Sequence, residues 1–284
     1  MIRRSPRLRA LRVAPPTPSP GATPAARPSR FRGVSRVVRP LVLPLVLIAL
    51  FECYARRAAA LGSDALAPPS AAAKAFAGAA LDGSLWQATG FTLGTAALGL
   101  LIGAVLGMAL GIALGLSRRA AQLGALSIEV LRPVPSVALI PLAMLAFGFG
   151  VRMEVAIVAF ATFWPLLVLV QSAVQQVEPR LLELSRVLQL SARDRAFKIV
   201  LPAIVPRLFV ALRLGVAVAL VVAVTVEIAA NPHGMGYAMM IAQQSFDPAL
   251  MLAWLGWIGV VGFAVNAGML GLQRAVARRM GVLP

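Results

Sequence analysis

Residues 88–116 read ATGFTLGTAALGLLIGAVLGMALGIALGL, 29 residues without a charge. At about 1.5 Å per residue, a helix of that length exceeds the roughly 30 Å hydrocarbon layer of a bilayer, so it crosses with tilt. The stretch shows none of the strict alternation of a barrel strand. A helix also satisfies its own backbone groups in lipid. Gly99, Gly103, Gly107, Gly111 and Gly115 recur every four residues, which puts them on one helix face. Glycine costs a helix interior about 1 kcal/mol relative to alanine. Five on one face therefore predict a second helix packed closely against this one.

The rest of the chain agrees with a membrane environment. Of its 284 residues 60% are hydrophobic and 13% charged, against about 45–50% and about 25% in soluble domains. So few charges could not cover a soluble surface. Further uncharged or nearly uncharged stretches lie at residues 40–51, 133–151, 155–177, 208–230 and 249–272. The fifth of the resulting six carries only Arg213 near its start and Glu227 near its end. The reading is an all-α membrane protein of about six transmembrane helices.

The net charge is +17. In a soluble chain this would point to nucleic acid; in a membrane chain it records which loops stay in the cytoplasm. Residues 1–39 hold ten arginines, seven prolines and no acid, a composition that builds no core. They are expected to form a disordered basic cytoplasmic tail, followed by a transmembrane domain over 40–284. Transit-peptide and signal-peptide readings also fit that composition, the latter with Ala58–Ala60 as its cleavage site. With the N-terminus inside, six spans place 22 basic residues inside and four outside. Removing or adding one span destroys the asymmetry, so both termini are expected to be cytoplasmic. Nucleic acid is thereby excluded as a partner, and membrane lipid becomes the surroundings.

Arg132, Pro133, Val134 and Pro135 form a break. Proline lacks a donor and disfavours helix in the residue before it. A short helix over residues 122–131 is expected near the inner surface, then a turn, then the third span. Pro141 and Pro165 fall inside spans and are expected to kink them. The most polar folded stretch, 178–213, carries Leu181, Leu182, Leu184, Leu188 and Leu190 at amphipathic spacing. Ser191 and Asp194 have the spacing of a capping box, so a second helix starts near Ala192. It runs to Val200, and Pro202 stops it.

This loop resembles the motif of the inner-membrane subunits of binding-protein-dependent ABC importers: Glu-Ala-Ala, three residues, Gly, nine residues, Ile-x-Leu-Pro. Glu183, Ile199, Leu201 and Pro202 match it; Leu184, Ser185 and Gln189 depart from it. Ser185 keeps a small residue. Gln189 stands where the family has glycine, and a left-handed turn costs a residue with a Cβ roughly 1 kcal/mol or more. The turn is therefore expected one residue later, or not left-handed. The resemblance extends over about residues 66–280. Leu131-Arg132-Pro133-Val134-Pro135, Ala138-Leu139-Ile140-Pro141-Leu142, Phe147-Gly148-Phe149-Gly150, Val226-Glu227 and Gly234-Met235-Gly236-Tyr237 are similar to the nitrate, sulfonate and taurine permease subgroup.

The resemblance implies a permease dimer in a bacterial inner membrane, two ATPase subunits, and a periplasmic or lipid-anchored solute-binding protein. It also implies that residues 183–202 form the ATPase-coupling loop, and that ATP and Mg are used by the partner. This chain is expected to bind no cofactor and to be no enzyme. It has no phosphate loop, since its only lysines are Lys74 and Lys198. One histidine, His233, and one cysteine, Cys53, make neither a zinc site nor a disulfide. Cys53 reads as a small hydrophobe. The loop around His233 reads as a short interfacial helix under the binding protein.

Intramembrane charges are functional candidates by default. Glu227 is expected to pair with an arginine or cap a neighbouring helix, in a structural or gating role. Arg132, beside Pro133 and Pro135, either attracts an anion or anchors at the inner interface by snorkelling, and anchoring is the expectation. Asn266 and Gln171 could bond across helices or line the path. The functional expectation is import of a small anion such as an aliphatic sulfonate, taurine or nitrate by ATP-driven alternating access. The rivals are import of a thiamin-precursor pyrimidine, a channel, and a membrane-embedded enzyme.

Overall fold

The glycine stripe decides the centre of the fold. The computed structural model describes residues 32–61 and 66–279. Helix α3 (Ser84–Leu116) lies along α6 (Val151–Gln175), with all five glycines turned to it. A Cβ built on Gly103 would stand 2.6 Å from the Ala159 carbonyl oxygen. On Gly107 and Gly111 it would stand 2.7 Å from those of Phe163 and Leu167. Gly99 and Gly115 meet the side chains of Val158 and Val174 just as closely. The two backbones thus touch over about four turns, the geometry by which helices associate where lipid removes the usual hydrophobic drive.

Around this pair stand α2 (Pro69–Leu81), α9 (Leu201–Ala229), α10 (Met235–Gln244) and α11 (Pro248–Arg279). Ile157, Val158, Ala223 and Val226 fill the centre between α3, α6 and α9. Leu85, Leu220, Met235 and Trp254 fill a second cluster toward α10 and α11. Arg213, inside α9, donates from Nε to Asn266 Oδ1 of α11 at 2.9 Å. The predicted intramembrane charge and the predicted polar group therefore satisfy each other.

The chain divides into two units, Met1–Leu47 and Ile48–Pro284. In the first, the described part is the start of α1 (Arg32–Ala60). Helix therefore takes in the last eight residues assigned by sequence to the disordered tail. The remainder of that tail, 1–31, lies outside the described residues. In the second unit, Glu52 accepts the Ser70 N–H at 3.0 Å and its hydroxyl at 2.7 Å, capping the start of α2. Cys53 is exposed rather than packed.

Four helices among the described residues are long and apolar enough to cross a membrane: Ser84–Leu116, Val151–Gln175, Arg193–Ala229 and Pro248–Arg279. A bent pair makes a fifth if its halves form one span. That pair corrects the expected third span. Residues 133–151 are not one helix. A 3₁₀ turn (Ser136–Leu139) leads into α5 (Ile140–Phe147), and Gly148 ends it with φ +73°. Twelve residues at 1.5–2.0 Å rise cover only about 20 Å, short of the hydrocarbon thickness. The helix before the break, α4 (Arg118–Leu131), is longer than expected and meets the next at 81°. Pro141 kinks nothing, because it sits in the first turn of α5, where its missing N–H has no intrahelical partner to lose. Pro165 lies inside α6, which continues through it.

Pro202 is the other correction. The second loop helix, α8 (Ala192–Arg195), starts where the capping residues place it but does not stop at Pro202. A π turn (Ala196–Val200) carries it directly into α9. Leu201 N–H reaches back five residues to Ala196 O. A proline in a regular turn removes one bond and crowds the carbonyl four residues back. The wider π register absorbs both.

Candidate functional site

Three places collect the residues singled out above. The first is the loop after α6. Helix α7 (Pro179–Val187) ends in a left-handed residue, and that residue is Gln189 itself, with φ +49°. The turn neither moves to Leu190 nor avoids the left-handed region. Leu190 N–H donates to Ser185 O at 3.0 Å, which is the six-to-one bond of a Schellman cap. Closing this cap is what holds glutamine in a conformation glycine adopts freely. Ser185 is fully buried. Asp194 N–H donates to Ser191 Oγ at 3.1 Å, starting α8 as its spacing predicts. Asp194 also pairs with Lys198 at 2.7 Å.

The same loop leaves a surface uncovered. Leu184, Val187, Leu188 and Phe197 are exposed together, Val187 by 78% and Phe197 by 69%. Glu183 is exposed beside Leu184 and has no ion-pair partner among the described residues. Ile199 and Leu201 are half-buried and Pro202 is exposed. Val200, fully buried, packs with Ile204 against Val170 and Val174 of α6. The loop is thus one piece with the start of α9 and the end of α6. Replacing Gln189 by glycine relieves about 1 kcal/mol of left-handed strain. We expect the Leu188 and Leu190 amides of Gln189→Gly to exchange hydrogen about fivefold more slowly.

The second place is a buried polar cluster at the other end of α3, α6 and α9. Glu227 near the end of α9 is fully buried. Its Oε2 accepts the Gly236 N–H at 2.8 Å. Thr92 Oγ1 of α3 accepts the Met235 N–H at 2.9 Å. The first two free donors of α10 are therefore satisfied by side chains of two other helices. The capping alternative foreseen for Glu227 is the one realised. Gly234 takes φ +94° and brings its backbone against the Glu227 carboxylate; a Cβ there would stand 2.0 Å from Oε1.

Sequence reasoning overlooked the other half of this cluster. Glu154, in the first turn of α6, is also fully buried. It is bonded by the Thr95 hydroxyl and by Asn231 Nδ2. Its position one residue before an uncharged run made it look like a span boundary. The clue was that two turn-forming residues, Asn231 and Pro232, closely follow Glu227. Neither carboxylate has a cation within ion-pair distance among the described residues. His233 takes no part; it stacks on Phe91 with ring centres 5.1 Å apart.

The third place is the break itself. Arg132 closes α4 with helical angles, Pro133 lies in the turn that follows, and Pro135 is extended ahead of the 3₁₀ helix. Its exposed side chain borders a cavity of about 220 Å³ between the break, α6 and α9.

The described residues thus form an all-helical bundle whose polar loop runs into one long helix and packs on another. Its sequence places it in a known class. Residues 103–282 match the family described as "Binding-protein-dependent transport system inner membrane component", and the chain belongs to that family. It is 29% identical over 84% of its length to the "Putative aliphatic sulfonates transport permease protein SsuC" of Bacillus subtilis (strain 168), covering 86% of that protein. It is 28% identical over 68% of its length to the "Taurine transport system permease protein TauC" of Escherichia coli (strain K12), covering 70% of it. The fold is that of a chain in the inward-facing MetNI methionine ABC transporter, with TM-score 0.60 and 17% identity. That likeness covers 68% of this chain and 98% of the other. The protein is a multi-pass inner-membrane permease component, not itself an enzyme, and works with an ATPase and a binding protein.

Proposed function

We propose that two copies of this chain form the path by which an ABC importer carries a small anion inward. The solute class is an aliphatic sulfonate, taurine or a nitrate-like oxyanion. The names of its relatives and the motifs shared with that permease subgroup support this class. Two ATPase subunits bind and hydrolyse ATP with Mg, and this chain holds no cofactor. A periplasmic or lipid-anchored binding protein delivers the solute. Counted with α1 and with the bent pair as one broken crossing, the spans are six and both termini face the cytoplasm. The charge asymmetry across the loops supports that count.

One observation carries the coupling role. The exposed patch of Leu184, Val187, Leu188 and Phe197 lies on a loop continuous with α9 and packed on α6. Closure of the ATPase pair against that patch would move the inner ends of both helices together, which is what alternating access requires. The Glu183 carboxylate, without a partner of its own among the described residues, is offered to a basic or donor group of the ATPase.

The test is Glu183→Ala in the complex assembled from this chain, its ATPase and its binding protein. We expect uptake of a sulfonate such as taurine to fall at least tenfold while the chain still inserts in the membrane. ATPase co-purification is expected to weaken or to survive without coupled transport. Unchanged uptake together with unchanged co-purification overturns the coupling role.

A further inference from the structure

Two carboxyl groups lie in one buried cluster at the end of the bundle away from the coupling loop. Glu154 and Glu227 are both fully buried, and no cation among the described residues pairs with either. The elements around them supply none. Arg152 on α6 and His233 before α10 are exposed. Arg213, farther down α9, bonds Asn266. Helix α3 carries no charged residue, α10 has only the Tyr237 phenol as a titratable group, and α11 has no charge before Arg274. Burying one charge without a counter-charge is costly, and two like charges in one cluster add their repulsion.

The hydrogen bonds set the two groups apart. Glu154 accepts on both oxygens, from the Thr95 hydroxyl and from Asn231 Nδ2, as an ionised carboxylate does. Glu227 accepts on Oε2 alone, from the Gly236 N–H at 2.8 Å. Its Oε1 is buried and receives no hydrogen bond. Thr92, beside it, gives its one hydroxyl hydrogen to Ala88 O at 3.1 Å. On the side of Gly234 there is no room for a water or an ion, since even a Cβ would stand 2.0 Å from Oε1. The other unpaired atom of the cluster, Asn231 Oδ1, is an acceptor as well. A charged oxygen left bare among acceptors is a costly arrangement in a buried network. A proton on that oxygen needs no space, and it turns an acceptor without a donor into a donor among acceptors.

We propose that Glu227 is held as the neutral acid, with its proton on Oε1, while Glu154 stays ionised. The cluster then buries one negative charge instead of two. Oε2 still accepts the Gly236 N–H, so the neutral acid keeps α10 capped. Glu227 is in this sense a positioning residue for α10 that acts through hydrogen bonds and not through charge.

Infrared spectroscopy of the full-length chain in lipid nanodiscs at neutral pH tests this, because a protonated carboxyl has a carbonyl stretch that a carboxylate lacks. We expect such a band from a single carboxyl per chain, shifted in heavy water and lost in Glu227→Gln. Glutamine keeps the shape of the neutral acid and the oxygen that caps Gly236, and the yield of monodisperse protein checks that the variant is folded. A parent spectrum without the band shows both groups ionised and overturns the proposal, whatever the variant does. A band that persists in Glu227→Gln places the proton on another carboxyl and overturns it equally.

Discussion

Gly103→Leu is expected to remove nearly all folded protein from the membrane, while Gly94→Ala in the same helix leaves the yield unchanged or higher. The contrast follows from what each position faces. A Cβ on Gly103 would stand 2.2 Å from Thr162 Oγ1 and 2.6 Å from the Ala159 carbonyl oxygen. The hydroxyl could turn away, though it donates to Val158 O at 2.8 Å. The carbonyl belongs to the α6 backbone and cannot. Relief requires α3 and α6 to separate, and separation is felt at Gly99, Gly107 and Gly111 as well. Overpacking a core by a few methylenes typically costs 1–3 kcal/mol. Here the loss of dispersion contacts along the whole seam adds to that, so a destabilisation above about 3 kcal/mol is expected. Gly94 has nothing within 4 Å of a built Cβ, and alanine there gains about 1 kcal/mol of helix propensity. Detergent-resistant, monodisperse protein recovered per cell is the measurement. Equal recovery of the two variants would show that the stripe is not a tight seam.

The stripe was legible because its cause is local: a spacing of four maps onto one helix face whatever the partner. The start of α8 at Ala192 was legible for the same reason. What escaped was set by tertiary partners or by backbone geometry that hydropathy does not report. Residues 133–151 contain no charge, so they look like a span; the bend at their start and the positive φ of Gly148 and Gly150 are invisible to any window. Pro202 was read from its usual effect on a regular helix, and the π turn before it changed the register it meets. Gln189 was judged by the cost of its own conformation alone. The cap bond between Leu190 and Ser185 is an offset that sequence spacing does not display. Glu154 was hidden by the convention that a charge ends a span, and only the fold brings Thr95 and Asn231 to it.

Glu227→Ala is expected to release α10 from the bundle, and Glu227→Gln is expected to keep it. Alanine leaves the Gly236 N–H buried without an acceptor, at about 1–3 kcal/mol. It also empties the space into which Gly234 and Gly236 are packed, and the residual cavity adds to the cost. Together about 3 kcal/mol of local stability is lost, so the Met235 and Gly236 amides should exchange roughly a hundredfold faster. Glutamine has nearly the shape of glutamate and keeps an oxygen for the Gly236 N–H, so exchange should rise by less than tenfold. Thr92→Val removes the acceptor for Met235 N–H alone and should fall between the two. The ordering separates capping from charge. If Glu227→Gln opened α10 as far as Glu227→Ala, the negative charge rather than the hydrogen bond would hold the helix. If neither variant changed exchange at Met235 and Gly236, the contact between α9 and α10 would not limit opening at all. The expected order, alanine above valine at Thr92 above glutamine, instead identifies a helix held at its first turn by side chains from two of the long spans. Rocking of those spans would then carry α10, and the surface it presents, with them.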